Sequence, residues 1–315
     1  MFLANFLIAL REGVEASLIV GILVTSLVKM GRRDVLPRLW LGVGIAALVP
    51  LAVGALMTWG PYTLTFQAQE ILGGVLSLVA AAMLTWMILW MGRHSREMSA
   101  DLRTQTAAAL ARSSGWGIVW IAALSVGREG LETAVFVWAT VRATASGGLW
   151  QPTAGVVAGL AVAVVLGWLI YRGTARINLG RFFTLTSYLL LVVAAGIVAY
   201  GLGDLQEAGV IPGWGTSAYD LSGYFDGHIP GVHPGAWWFV LAEAMFNVNL
   251  APTVVQVVGW CAYLIAVLPL LWRQQRGRRG SAERARGADA AGAVGAAKGG
   301  VEKSPESAPA APSVK

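Results

Sequence analysis

Long apolar runs alternate along the chain with short breaks that carry glycine, proline or basic residues. A spanning helix needs about 20 apolar residues to cross roughly 30 Å of hydrocarbon. Seven runs meet that length, at 3–28, 39–59, 70–91, 116–140, 152–171, 182–203 and 250–272. The pattern predicts an all-α integral membrane protein with seven transmembrane helices. The first run has no basic n-region and is interrupted by "REGVE", so it is expected to be a retained span and not a cleaved signal peptide.

Two of the seven runs contain the same charged motif, in "LIALREGVEASLIV" at 7–20 and "LSVGREGLETAVFV" at 124–137. A charge at the bilayer centre costs at least about 2.5–3.5 kcal/mol on insertion scales, so these groups must pair with one another or line a polar cavity. In each copy the arginine and the second glutamate are four residues apart and the glutamates three apart. The two carboxylates therefore share a helix face with the arginine at its edge. The copies fall in the first and fourth spans, which cross in opposite directions. Helices one to three and four to six then form an inverted 3+3 repeat, with the substrate site expected near the midplane and the seventh helix an addition.

Charge fixes the expected orientation. Lys29, Arg32, Arg33 and Arg38 follow the first span, Arg93, Arg96, Arg103 and Arg112 the third, and Arg172, Arg176 and Arg181 the fifth. More basic residues lie beyond the seventh, and the intervening loops hold only Arg142. The positive-inside rule then puts the N-terminus outside and the C-terminus inside. The net charge of +6 is explained by this sorting, so no nucleic-acid partner is expected. Residues 1–272 read as the membrane domain. Residues 273–315 turn basic and then Ala/Gly/Pro/Ser-rich, the composition of a disordered cytoplasmic tail whose start can touch anionic lipid. Met98–Leu110 has the pattern of a surface helix on the inside, and "AWWFVLAEAMF" at 236–246 that of an interfacial helix on the outside.

The motif pair brings four carboxylates, Glu12, Glu15, Glu129 and Glu132, towards two guanidinium groups, Arg11 and Arg128. Fully ionised, the set is two charges negative, which a divalent or trivalent cation would offset. Oxygen donors without His or Cys make a hard site suited to Fe, Mn, Mg or Ca. The histidines, His94, His228 and His233, all fall in loops, and the lone Cys261 offers no thiolate cluster. Each arginine can hold a glutamate in an empty site and weaken binding enough for release. Gly13 and Gly130 are expected to allow close approach of backbone or ion. The competing reading is a pair of ion bridges that lock the bundle, but desolvation makes buried ion pairs a poor source of stability.

Other features are less specific. Glu70, Asp204 and Glu207 fall at outer helix ends and, with Asp226, His228 and His233, could form an acidic outer vestibule. Met83, Met87 and Met91 form a stripe best read as packing or lipid contact. Gly155 and Gly159 form a small-xxx-small motif for close helix packing. Pro50 and Pro269 are expected to kink their helices, and Pro252 to sit in the first turn of the seventh.

Together, "REGVE", "REGLE", "QEILGGVLSLVAAAMLTWMILWM", "DLQEAG" and "FNVNLAPTVVQVVGW" resemble the oxidase-dependent iron transporter family, which takes in EfeU-type bacterial permeases and the high-affinity iron permeases of fungi. The resemblance covers about residues 1–272. It implies a permease and not an enzyme, moving Fe(II) or Fe(III) across the cytoplasmic membrane into the cell. Iron is then the transported substrate, no cofactor is permanently bound, and Glu12, Glu15, Glu129 and Glu132 are the ligands. It also implies partners beside the lipid bilayer: a periplasmic or extracellular iron-binding protein and a haem peroxidase or oxidase. The motif alone serves a permease for Mn or Pb equally well. A seven-helix receptor shares the topology but predicts no inverted repeat.

Overall fold

The computed structural model describes residues 2–59, 65–94, 104, 108, 116–142, 150–172, 178–213, 215–221 and 251–299. Among them are seven long helices: α1 (Phe2–Lys29), α2 (Leu36–Trp59), α3 (Phe66–His94), α4 (Trp116–Arg142), α5 (Trp150–Tyr171), α6 (Leu179–Glu207) and α7 (Val254–Gly299). Five of these, α2, α3, α5, α6 and α7, are long and apolar enough to cross a membrane. α1 and α4 are as long, at 28 and 27 residues, but each holds a REGxE motif and a terminal basic residue. Large apolar side chains face outwards, among them Trp40, Leu48 and Leu51 of α2 and Val157 and Val164 of α5. Such a surface suits lipid, where every backbone polar group must be satisfied inside the helix.

Local chemistry ends the helices where the breaks stand. At the close of α1, Gly31 adopts φ +73°, its N–H donates to the Val28 carbonyl, and Arg32 N–H donates to the Leu27 carbonyl. Gly209 does the same at the end of α6, at φ +76° with bonds back to Gln206 and Leu205. Both are left-handed caps that glycine adopts without a Cβ penalty. α6 begins at Asn178, whose side chain accepts the Arg181 N–H. α7 begins with a capping box: Thr253 N–H donates to Gln256 Oε1 at 2.9 Å, and Gln256 N–H donates to Thr253 Oγ1 at 3.3 Å. Pro252 therefore precedes the cap and does not sit in the first turn, because the Thr253 hydroxyl is the group able to take the first free N–H. α7 runs on through Gly299 into the Arg/Ala-rich segment, which is rich in strong helix formers, and residues 300–315 of the tail lie outside the described residues. Residues 1–268 and 269–315 form separate compact units.

The helices pair in a definite order. α1 packs on α5, α2 on α4 and α3 on α6, while α1 also meets α4; smaller contacts join α3 to α4 and α1 to α6. α1 and α5 run parallel, with Phe6 at Gly159, Gly13 at Ala163 and Ser17 at Gly167. α2 and α4 also run parallel, with Gly42 at Val119, Pro50 at Gly130, and Trp138 Nε1 donating to the Met57 carbonyl at 3.0 Å. α3 and α6 are antiparallel: Gln67 donates to the Ala208 carbonyl, and Ser77 stands at Gly201. α1 and α4 are antiparallel too, Asn5 meeting Thr140 at one end and Leu23 sharing a cluster with Ala122 at the other. The expected close packing at Gly155 and Gly159 is present, against the α1 backbone. Met87 of the methionine stripe is buried and packs, while Met83 is exposed on the outward surface.

Candidate metal site in the α1–α4 seam

Antiparallel packing of α1 on α4 puts the two charged motifs at one level. One oxygen each from Glu12, Glu15 and Glu129 lie within 4.8 Å of one another, and all three residues are buried. The spacing read from the sequence explains this: glutamates three residues apart share a helix face, and that face of each helix turns to its twin. Arg11 Nε–H donates to Glu15 Oε1 at 3.2 Å and stands 3.9 Å from Glu12 Oε1. Arg128 Nε–H donates to Glu132 Oε1 at 3.0 Å, the same atom pair at the same spacing. Glu132 stands outside the group of three, its Oε1 held by Arg128.

The copies differ in exposure. The Arg11 side chain is 1% exposed and that of Arg128 is 54% exposed. The Arg128 guanidinium also lies 5.3 Å from the centre of the Trp90 ring on α3. Both carboxylate oxygens of Glu12 are buried without a hydrogen-bond partner among the described residues, as is Glu132 Oε2 in the other copy. Buried polar atoms are nearly always bonded, and carboxylate oxygens left this way are positioned to accept a cation. Three carboxylates with the Arg11 guanidinium carry two negative charges in excess when ionised, and oxygen donors alone suit a hard cation.

The motif glycines allow the expected close approach, and the group that approaches is a neighbouring helix. A Cβ at Gly13 would lie 2.6 Å from Ala163 Cβ on α5, and one at Gly130 would lie 2.5 Å from Pro50 Cγ on α2. They let a neighbouring helix approach from behind, because the carboxylate face points to the other motif and the glycine faces away from it.

The vestibule residues are placed in part. Gln67 and Gly74, either side of Glu70, touch Ala208 and Leu205, so Glu70 and Asp204 stand at one level of the α3–α6 pair. Asp204 is buried, Glu70 half-buried and Glu207 exposed. Asp226, His228 and His233 lie outside the described residues, as do most of Met98–Leu110 and all of 236–246.

Two polar constellations escaped the sequence reading. Thr140 Oγ1 donates to Asn5 Oδ1 at 2.7 Å, both residues buried in the α1–α4 seam; the signal was Asn5 standing seven residues, two turns, before Glu12. The second joins α6 to α7. Thr253 Oγ1 donates to Gln206 Oε1 at 2.6 Å and Gln206 Nε2 donates to the Pro212 carbonyl, while Ser217 and Thr253 form an antiparallel bridge. Here the T-x-x-Q spacing of the capping box was the readable signal.

Residues 2–274 match the sequence profile of the Iron permease FTR1 family. A protein of Escherichia coli O6:H1 named ferrous iron permease EfeU is 36% identical over 265 residues, covering 84% of this chain and 92% of the relative. The protein of that name in Yersinia pestis is 33% identical over 279 residues, covering 88% of this chain and 95% of the relative. No solved structure matches the chain.

Proposed function

This chain belongs to the iron permease FTR1 family, and we propose that it carries Fe(II) across the plasma membrane into the cell by way of Glu12, Glu15 and Glu129. The observation that carries this reading is the meeting of three buried carboxylates from two antiparallel helices within 4.8 Å. A divalent ion balances the excess of two charges, whereas Fe(III) would leave the buried site positive. Intramembrane charges that face one another in a bundle mark ion paths.

The inverted repeat is part of the proposal. Exchanging α1 with α4, α2 with α5 and α3 with α6 turns the α1–α5 pair into α4–α2 and the α3–α4 pair into α6–α1, while α1–α4 and α3–α6 map onto themselves. The same exchange carries Arg11–Glu15 onto Arg128–Glu132 and the Gly13–Ala163 contact onto Gly130–Pro50. These correspondences support a two-fold axis through the glutamates, where inverted-repeat transporters hold their substrate. On this reading the chain crosses the membrane seven times, and the basic loops put the N-terminus outside. On this reading Arg11 stands on the outer side of the site and Arg128 on the inner. Iron reaches the outer face from an iron-binding protein working with a haem peroxidase or oxidase, and Glu70 and Asp204 line the approach.

The test is uptake into proteoliposomes with Fe(II), Fe(III) and Mn(II) in parallel, comparing wild type with Glu12→Gln and Glu129→Gln. Fe(II) uptake that both substitutions abolish is the expected result. Unimpaired uptake in both sinks the site, and uptake of Mn(II) alone sinks the iron assignment.

A further inference from the structure

Two turns along the seam from the glutamates, the polar pair Asn5 and Thr140 is 0% and 2% exposed. Seven residues separate Asn5 from Glu12 and eleven separate Glu129 from Thr140, each within about 20° of whole turns at 3.6 residues per turn. Each member therefore shares a helix face with a glutamate, about 10.5 Å along the axis for Asn5 from Glu12 and about 16.5 Å for Thr140 from Glu129.

The repeat supplies a control for this layer. The register that superposes Arg11 on Arg128 superposes Asn5 on Ala122 and Thr140 on Leu23. Those equivalents lie on the other side of the glutamates, both 0% exposed, in an apolar cluster with Ile19, Leu27, Val35, Leu39 and Ile118. The α1–α4 seam thus closes without polar atoms on one side, so packing alone does not call for the oxygens on the other. Burying an amide and a hydroxyl where apolar groups would pack costs free energy unless their bonds are made.

We propose that Asn5 and Thr140 line the transport path: their oxygens form an uncharged layer that the cation touches on its way to the glutamates, while the Leu23–Ala122 layer is a dry seal. A hard cation leaving water needs oxygen donors to replace its hydration, and an amide oxygen and a hydroxyl are such donors. The Thr140 hydroxyl has one proton and two acceptors, Asn5 Oδ1 at 2.7 Å and the Val137 carbonyl at 2.8 Å. When α1 and α4 part, the proton stays on Val137 and the Asn5 oxygen turns to the ion. On the charge-derived orientation this layer is the outer mouth of the site. The inference rests on the transport reading above.

The experiment measures initial Fe(II) uptake against concentration in proteoliposomes of the full chain, and equilibrium Fe(II) binding in detergent. The variants are Asn5→Leu/Thr140→Val, Thr140→Val alone, Thr140→Ser, and Glu12→Gln as control. We expect kcat/KM to fall by about tenfold in the double variant and about threefold in the near-isosteric Thr140→Val, with binding affinity unchanged and Thr140→Ser like wild type. Wild-type kcat/KM in Thr140→Val, or binding lost together with uptake, overturns the proposal and leaves the pair a structural lock. Uptake that survives Glu12→Gln overturns the transport reading instead; a silent Glu12→Gln beside fully active Thr140 variants overturns this inference alone.

Discussion

Replacing Gly13 with alanine tests whether the site depends on how closely α5 backs α1. The new methyl would lie 2.6 Å from Ala163 Cβ and 3.2 Å from Leu160 Cδ2. Apolar carbons rest at about 3.5–4.0 Å, so the helices must part by about 1 Å. Ala163 is fully buried and has no flexible end to swing away. Overpacking of this kind costs about 1–3 kcal/mol. Moving α1 by that amount also shifts Glu12 and Glu15 against Glu129, by more than the about 0.2 Å within which ligand distances of a metal site hold. Gly13→Ala should therefore lower both thermal stability in detergent and Fe(II) affinity. Ala163→Gly removes the opposing methyl, so the Gly13→Ala/Ala163→Gly chain should recover both, with a coupling of about 0.5–3 kcal/mol across the cycle. A neutral Gly13→Ala, or a double variant no better than the single, refutes the reasoning.

The two motif arginines should differ. Arg11→Ala leaves buried carboxylates without their cation and should destabilise by about 3–5 kcal/mol in detergent unfolding; Arg128→Ala removes a solvent-screened, half-exposed cation and should cost less, although it strands the largely buried Glu132. Equal losses would contradict the difference in exposure. Thr253→Val removes the α7 capping hydroxyl and strands Gln206 Oε1, costing about 1–3 kcal/mol, with faster amide exchange at the start of α7; Thr253→Ser should restore protection. Glu132→Gln should weaken Fe(II) binding less than Glu129→Gln in the same titration, because Arg128 already holds Glu132 outside the group of three.

Much of this molecule is legible in the order of its residues because a membrane simplifies the physics. Helix is the only open-ended solution in lipid, so apolar length alone located all seven helices to within a few residues at most ends. The doubled REGxE located the glutamates, because three- and four-residue spacing fixes the shared face before any packing is known. Packing partners were less legible. Gly13 and Gly130 sit beside the glutamates in sequence but face Ala163 and Pro50, residues far along the chain that spacing cannot reveal. Asn5 and Thr140 were passed over for a related reason: Thr140 carries no local signature, and the two-turn spacing of Asn5 from Glu12 gains its meaning only from the antiparallel register of α1 on α4. At the far end of α7 the alanine and arginine run has helix propensity that a compositional reading does not weigh.

Anaerobic titration of the purified chain with Fe(II) tests the central claim most directly. One ion should bind per chain, and Glu12→Gln, Glu15→Gln and Glu129→Gln should each abolish it while leaving the unfolding temperature near or above that of wild type, since each removes a buried charge. Full-affinity binding in those three variants would contradict the assignment of these glutamates as the iron site.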